Sequence, residues 1–129
     1  PALAWASGGI VSTLPDLGRF IRAYVGGRFF GNRIKRVQRQ WFPNANSSPP
    51  GPGVNSAGMA LFRYRSKCGT VYGHTGSFPG YRIFAASSAN GKRSITFVAN
   101  AQITDTSGSK RVSSLIRKMQ VKAVCHALS

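Results

Sequence analysis

Residues 69–100 read GTVYGHTGSFPGYRIFAASSANGKRSITFVAN, and this stretch decides the fold. Gly69 to His74, Tyr81 to Ser88 and Lys92 to Asn100 each read as a strand, rich in β-branched and aromatic residues and bounded by turn formers. Between the last two stands Asn90-Gly91, the strongest short hairpin signal a sequence offers. A further strand is expected upstream, from Ala57 to Arg65. Strands joined by such short turns pair antiparallel, so the sheet is antiparallel.

Outward from the sheet the periodicity becomes helical. Val112, Leu115, Ile116, Met119 and Ala123 mark one face of a helix over 107–127. Near the other end, Leu14, Leu17, Phe20, Ile21, Tyr24 and Val25 do the same for residues 12–25. Thr13 with Asp16 three positions later is a capping-box-like start, Pro15 is tolerated in the first turn, and Gly26-Gly27 supplies the stop. Ile34, Val37 and Trp41 predict a shorter helix over 32–42. Residues 43–55 hold four of the seven prolines and read as a loop. Helices, then antiparallel strands, then a helix give an α+β chain. Residues 1–129 make one partial domain, helical and looped over 1–55 and strands plus C-terminal helix over 56–129.

The charge excludes several chemistries. Eighteen Lys and Arg stand against two acids, Asp16 and Asp105, for a net +16. Two carboxylates 89 positions apart do not form an acid/base pair within the chain, and an all-oxygen calcium site has too few ligands. Two Cys and two His are too few for a closed structural zinc site. No apolar run is long enough for a transmembrane helix, and Pro1-Ala-Leu-Ala-Trp5 lacks the form of a secretory signal. A field this positive attracts nucleic acid or anionic polymers non-specifically. No zinc finger, basic zipper or RNA-binding aromatic pattern accompanies it.

Tyr72-Gly-His-Thr-Gly-Ser-Phe-Pro-Gly-Tyr81 carries the chemistry. Small residues at the end of a strand let a ligand approach the backbone. His74 and Thr75 offer side-chain donors there, while Gly76 and Ser77 offer backbone N–H groups suited to a developing oxyanion.

Gly73-His-Thr-Gly76 followed by Pro79-Gly-Tyr81 resembles the third active-site motif of serine β-lactamase-like hydrolases, which include class C β-lactamases, D-Ala-D-Ala carboxypeptidases and related esterases. Ser7-Gly-Gly-Ile-Val-Ser-Thr-Leu-Pro-Asp-Leu-Gly-Arg-Phe20 resembles another stretch of the same family. The hairpin at Asn90-Gly91 and the terminal helix follow in family order. The resemblance implies that His74 and Thr75 meet a substrate carboxylate and that the Ser77 N–H forms half of an oxyanion hole. It implies no role in the chemistry for Phe78, Pro79 or Tyr81, which shape the turn. The substrate it implies is a small amide or ester, and it implies no metal or organic cofactor.

The family's nucleophile comes from Ser-x-x-Lys, which lies upstream of these motifs. The only formal match, Ser107-Gly-Ser-Lys110, falls on the wrong side of the third motif and reads as coincidence. No Tyr-x-Asn partner motif is present either. The resemblance therefore implies the C-terminal portion of such a hydrolase, forming an incomplete β-lactamase-like fold that is inactive by itself. In the family, N-terminal strands pair beside the strand equivalent to Lys92–Asn100. Without them that edge, with Ile95, Phe97 and Val98, lacks partners, so self-association or assembly with the nucleophile-bearing portion is expected. The competing expectation is a non-catalytic basic module that binds nucleic acid or an anionic envelope polymer.

Cys68 precedes the motif strand, and Cys125 lies in the terminal helix that should cover the same sheet. They form either a bridge or two buried free thiols. A bridge, together with the resemblance, points to a secreted, periplasmic or cell-envelope location.

Overall fold

The computed structural model describes residues 8–101, 103 and 107–129; Ser7, Asp105 and the opening Pro1-Ala-Leu-Ala-Trp5 lie outside the described residues. Among those described, three helices and six strands form: α1 (Leu14–Gly26), α2 (Asn32–Gln38), β1 (Phe42–Pro43), β2 (Val54–Gly58), β3 (Leu61–Ser66), β4 (Gly69–Phe78), β5 (Tyr81–Ser87), β6 (Ser94–Asn100) and α3 (Ser107–Leu128). The sheet is antiparallel, with its strands in sequence order from β1 to β6.

Helix α1 forms as its sequence dictates. Thr13 Oγ1 accepts the Asp16 amide at 3.2 Å and donates its own hydrogen to Asp16 Oδ2 at 2.8 Å. A cap of this kind contributes about 1 kcal/mol. Arg19 completes an ion pair with Asp16, and Gly27 closes the helix in the left-handed conformation at φ 84°.

Three expectations are corrected. Helix α2 stops at Gln38 rather than at 42, because Trp41 leaves the helix to pack on Tyr72 with ring centroids 5.5 Å apart. Residues 57–65 are not one strand but the middle of a hairpin, β2 and β3 turning at Met59-Ala60. Ala60 takes a positive φ of 55° there, so no Gly, Asn or Pro betrays the turn. The sheet also begins inside the segment read as loop, with β1 and β2 both starting before residue 56. The rest of that loop is tied by Asn55, which accepts from Ser47 Oγ at 2.9 Å and donates to the Pro52 and Gly53 carbonyls.

Two helices sandwich the sheet. Ile21 and Val25 of α1 bury against Leu61 and Ala85 on one face, with Leu17, Tyr24, Trp41 and Tyr72 around them. On the other face Val124 of α3 joins Tyr64, Val71, Phe84, Ala86 and Ile95. Burying each large side chain of this kind contributes about 1.5–3 kcal/mol. Cys68, in the β3–β4 turn, is bonded to Cys125 of α3 across a separation of 57 residues. The bridge is consistent with an oxidising, extracytoplasmic compartment. Among the described residues no helix is long and apolar enough to cross a membrane.

Strand β6 ends the sheet, and among the described residues nothing pairs with its outer side. Its side chains are better covered than expected: Ile95 is buried in the α3-side core and Phe97 packs against it, leaving Val98 exposed.

Tyr64 is wholly buried, and its hydroxyl makes no hydrogen bond of sound geometry although Ser47 and Thr75 stand close. Burial raises its phenol above the ordinary 10.0, and the two neighbours oppose the rise. The folded chain therefore keeps this proton to higher pH than the unfolded chain does. That contribution to stability is whole below pH 10 and is lost as pH climbs through the raised value. Tyr64→Phe is expected to change stability at pH 7 by less than about 1 kcal/mol, since no hydrogen bond is removed. The variant should exceed the parent above pH 10. Urea midpoints of both proteins at pH 7 and pH 11 check this.

Candidate active site

Strand β4 is the longest of the sheet, ten residues from Gly69 to Phe78. It runs on past His74, the expected end of the strand, to Phe78. The true turn is Pro79-Gly80, with Gly80 at φ 80°. His74 thus stands in mid-strand, opposite Ala85, not at a strand end.

The partners of β4 are unequal in reach. Strand β5 accompanies it to Phe78, but β3 pairs only as far as Phe62 opposite Gly73. Two-residue loops close both hairpins, at Ser66↔Gly69 and Phe78↔Tyr81. The closing pair of such a hairpin exchanges both of its hydrogen bonds, and antiparallel ladders alternate from there. Both turns give the same parity. The backbone groups of His74, Gly76 and Phe78 turn toward β5, and those of Gly73, Thr75 and Ser77 turn toward the β3 side. Past Gly73 that side is free of β3. Of the two amides expected to face a ligand, Gly76 therefore belongs to the β4–β5 ladder and Ser77 points to the free edge. Gly73 is fixed by crowding, since a Cβ there would lie 2.0 Å from the Ala85 carbonyl oxygen.

The imidazole of His74 is exposed and folds over this edge. Its Nδ1 lies 2.5 Å from the Thr75 carbonyl oxygen, and the ring meets Phe62 edge-on at 5.0 Å. A carbonyl oxygen only accepts, so Nδ1 carries the hydrogen in this contact, and with Nδ1 as its one N–H the ring keeps Nε2 as acceptor. Thr75 points the other way, as alternation along a strand requires. It is 4% exposed, and its hydroxyl donates to the Pro49 carbonyl at 2.7 Å. The hydroxyl expected to share a carboxylate with His74 is thus already engaged on the opposite face. Ser77 is exposed and lines a cavity of about 180 Å³ with Phe78, Pro79 and Arg82. Lys110 of the formal Ser-x-x-Lys opens onto a groove beside α3, away from the α1 face that His74 shares with Ala85.

Two arginines escaped the sequence reading. Arg63 lies opposite Tyr72, two positions from His74 on the same face of the sheet. Its Cζ sits 5.1 Å from the Trp41 ring centroid, a cation–π contact. One nitrogen reaches Ser56 Oγ at 3.4 Å, and its Nε is buried with no partner. Arg39 stacks on Tyr72 at 5.0 Å, but its guanidinium is taken up by the carbonyls of Val25 and Ala89, each at 3.0 Å. Of the two, Arg63 has a nitrogen without a partner, its buried Nε. Its place opposite Tyr72 follows from the two-residue turn at Lys67-Cys68, which sets the β3–β4 register.

No protein-family model matches this sequence. Among solved structures the chain is similar to a D-stereospecific amidohydrolase from a Streptomyces species. The two share 25% identity and a TM-score of 0.67 over 84% of this chain and 31% of that one. The chain therefore spans under a third of the length of that structure. The likeness supports the penicillin-binding and β-lactamase-like superfamily, and an incomplete version of its fold.

Proposed function

We propose that this chain forms the substrate-side wall of a serine hydrolase of the β-lactamase-like kind, acting on a small amide or ester, with the nucleophile supplied by polypeptide outside residues 1–129. The observation that carries the reading is the free edge of β4, where the Ser77 amide and the His74 ring sit together beyond the end of β3. The likeness to an amidohydrolase supports the same reaction class.

In the assembled enzyme a serine attacks the substrate carbonyl, and the negative charge forming on its oxygen is met by the Ser77 N–H. An amide fixed in a sheet costs no reorganisation at that moment, and one such donor accounts for about 3–4 kcal/mol of barrier lowering. Collapse expels the amine or alcohol and leaves an acyl-serine ester, which water then hydrolyses. His74 Nε2 and Arg63 flank the edge from the α1 face. Their place suits a substrate with a free carboxylate, met by the guanidinium, and an amide or hydroxyl hydrogen, met by the imidazole. A D-amino-acid amide or peptide is the proposed substrate class, and an envelope or secreted location fits the bridge at Cys68–Cys125. No resident cofactor is needed for this sequence of steps.

The test combines the chain with a segment that carries Ser-x-x-Lys, fused or supplied in trans. Mass spectrometry should show an acyl adduct on that serine with a β-lactam, a D-amino-acid amide or an ester. Turnover should require both parts. Absence of adduct and turnover in a folded, assembled pair would overturn the reading in favour of a basic binding module.

A further inference from the structure

The small cavity at Ser77 leads into a longer groove. It shares Arg82 and Ile103 with a groove of about 990 Å³ between α3, the β3–β4 turn, β5 and the loop at 49–53. Arg82 stands opposite Ser77 in the β4–β5 pairing. Side chains opposite one another share a face of the sheet, with Cβ atoms about 5 Å apart. Ser77 faces as Thr75 does, two positions before it, and so away from His74. The groove therefore begins beside Ser77 on the face turned from the imidazole. Ser109 and Cys125 both line it, and at 1.5 Å per helical residue that span is about 24 Å long.

Six cations line the groove: Lys67, Arg82, Lys110, Arg117, Lys118 and Lys122. The one described acidic side chain, Asp16, is held by Arg19 on another helix, so no described carboxylate side chain balances them. The walls are fixed. Cys125 is bonded to Cys68 next to Lys67, and Arg117 donates to the Gly51 and Gly53 carbonyls at 3.2 and 3.3 Å. No aromatic side chain is among the described residues that line it, whereas tracks for single-stranded nucleic acid stack bases on aromatic rings. An extended peptide rises about 3.3 Å per residue, so about seven residues fill the length. Charge, length and lining together fit an acidic peptide strand.

We propose that the α3 groove holds an acidic peptide segment on the acyl side of the substrate, so that the bond cleaved ends an acidic chain. Arg63 and His74 take the carboxylate end from the α1 face, which leaves the α3 face to the acyl side. That direction rests on the hydrolase reading; the hold of the groove on an acidic peptide does not.

The test titrates the 129-residue chain with blocked oligoglutamates of two to twelve residues and with blocked heptaglutamine. The glutamates should bind and the glutamine peptide should not. Affinity should climb with length to about seven residues and then level off, whereas attraction to the whole surface, at net +16, would keep climbing. Lys110→Glu with Lys118→Glu should weaken heptaglutamate roughly tenfold, as two exposed pairs become repulsions. Lys92→Glu with Arg28→Glu, the same charge change on exposed sites outside the groove, should weaken it far less. In the unaltered chain heptaglutamate should shift the amide resonances of Ser113 and Ser114, which line the groove. Equal losses in the two charge-reversal pairs, or no plateau with length, would overturn the site. Tighter binding of a heptathymidylate, lost in the same groove variant, would overturn the peptide in favour of nucleic acid. In the assembled hydrolase an acyl-side hexaglutamate extension should lower KM about tenfold against hexaglutamine, a difference that Lys110→Glu with Lys118→Glu removes. An active pair indifferent to the extension would overturn the link between groove and edge. Heptaglutamate held in the groove of a pair that forms no acyl-serine would overturn the hydrolase reading and support the groove.

Discussion

His74→Ala in the assembled hydrolase is expected to lower kcat/KM by about a hundredfold or more. A positioned imidazole contributes roughly 10²–10⁴ through proton transfer or hydrogen bonding in the transition state. The loss should not come from unfolding, because the ring is exposed and lies at the sheet edge against the Thr75 carbonyl and Phe62. The melting temperature of the variant should stay within a few degrees of the parent. Lysine has donors but no acceptor to offer the substrate hydrogen, so His74→Lys should recover little of the activity. Initial rates and thermal melts of the three proteins decide the matter. An alanine variant with full kcat/KM would remove His74 from the site while leaving the fold intact.

Severing the Cys68–Cys125 bridge is expected to have the largest effect on stability. Closing a loop of 57 residues restricts the unfolded chain by about 4 kcal/mol in the chain-entropy account. For a domain of this size that corresponds to roughly 10–20 °C in melting temperature. The loop encloses β4, β5, β6 and most of α3, so the bridge acts on the half of the chain that forms the candidate site and the α3 groove. Without it α3 is held by the burial of Ile116, Val124 and its neighbours and by contacts such as Arg93 Nη1 donating to the Ala127 carbonyl at 3.3 Å. Melts with and without reductant, and of Cys125→Ser, should show the same drop. Equal melting temperatures in all three would mean that the unfolded chain is already compact enough to make the bridge redundant.

Local chemistry made much of this architecture legible. Thr13, Pro15, Asp16 and Gly27 define α1 by interactions within a few residues, so neither end needs tertiary contacts to be placed. The Asn90-Gly91 turn was equally visible, although its form differs from a two-residue hairpin loop. Gly91 takes the positive φ while Asn90 does not, and strands β5 and β6 stop at Ser87 and Ser94. Ser88 Oγ and Asn90 Oδ1 accept the Arg93 and Lys92 amides at 3.1 and 3.0 Å. Side chains thereby supply what ladder bonds would have supplied.

What escaped the sequence shares one cause. Trp41 leaves its helix for the ring of Tyr72, far outside local reach in the sequence, and Ala60 accepts a left-handed backbone because the pairing of β2 with β3 outweighs its cost. Both are long-range choices that no window of neighbours contains. The amino-acid sequence alone was enough for α1, the strands between Gly69 and Asn100, the terminal helix and the chemical character of residues 72–81. Only the tertiary structure decided that β3 stops at Phe62↔Gly73, that Thr75 faces Pro49 and not His74, and that Arg63 stacks on Trp41. Alternation makes every side chain in a sheet depend on register, and register is set by where distant strands begin and end.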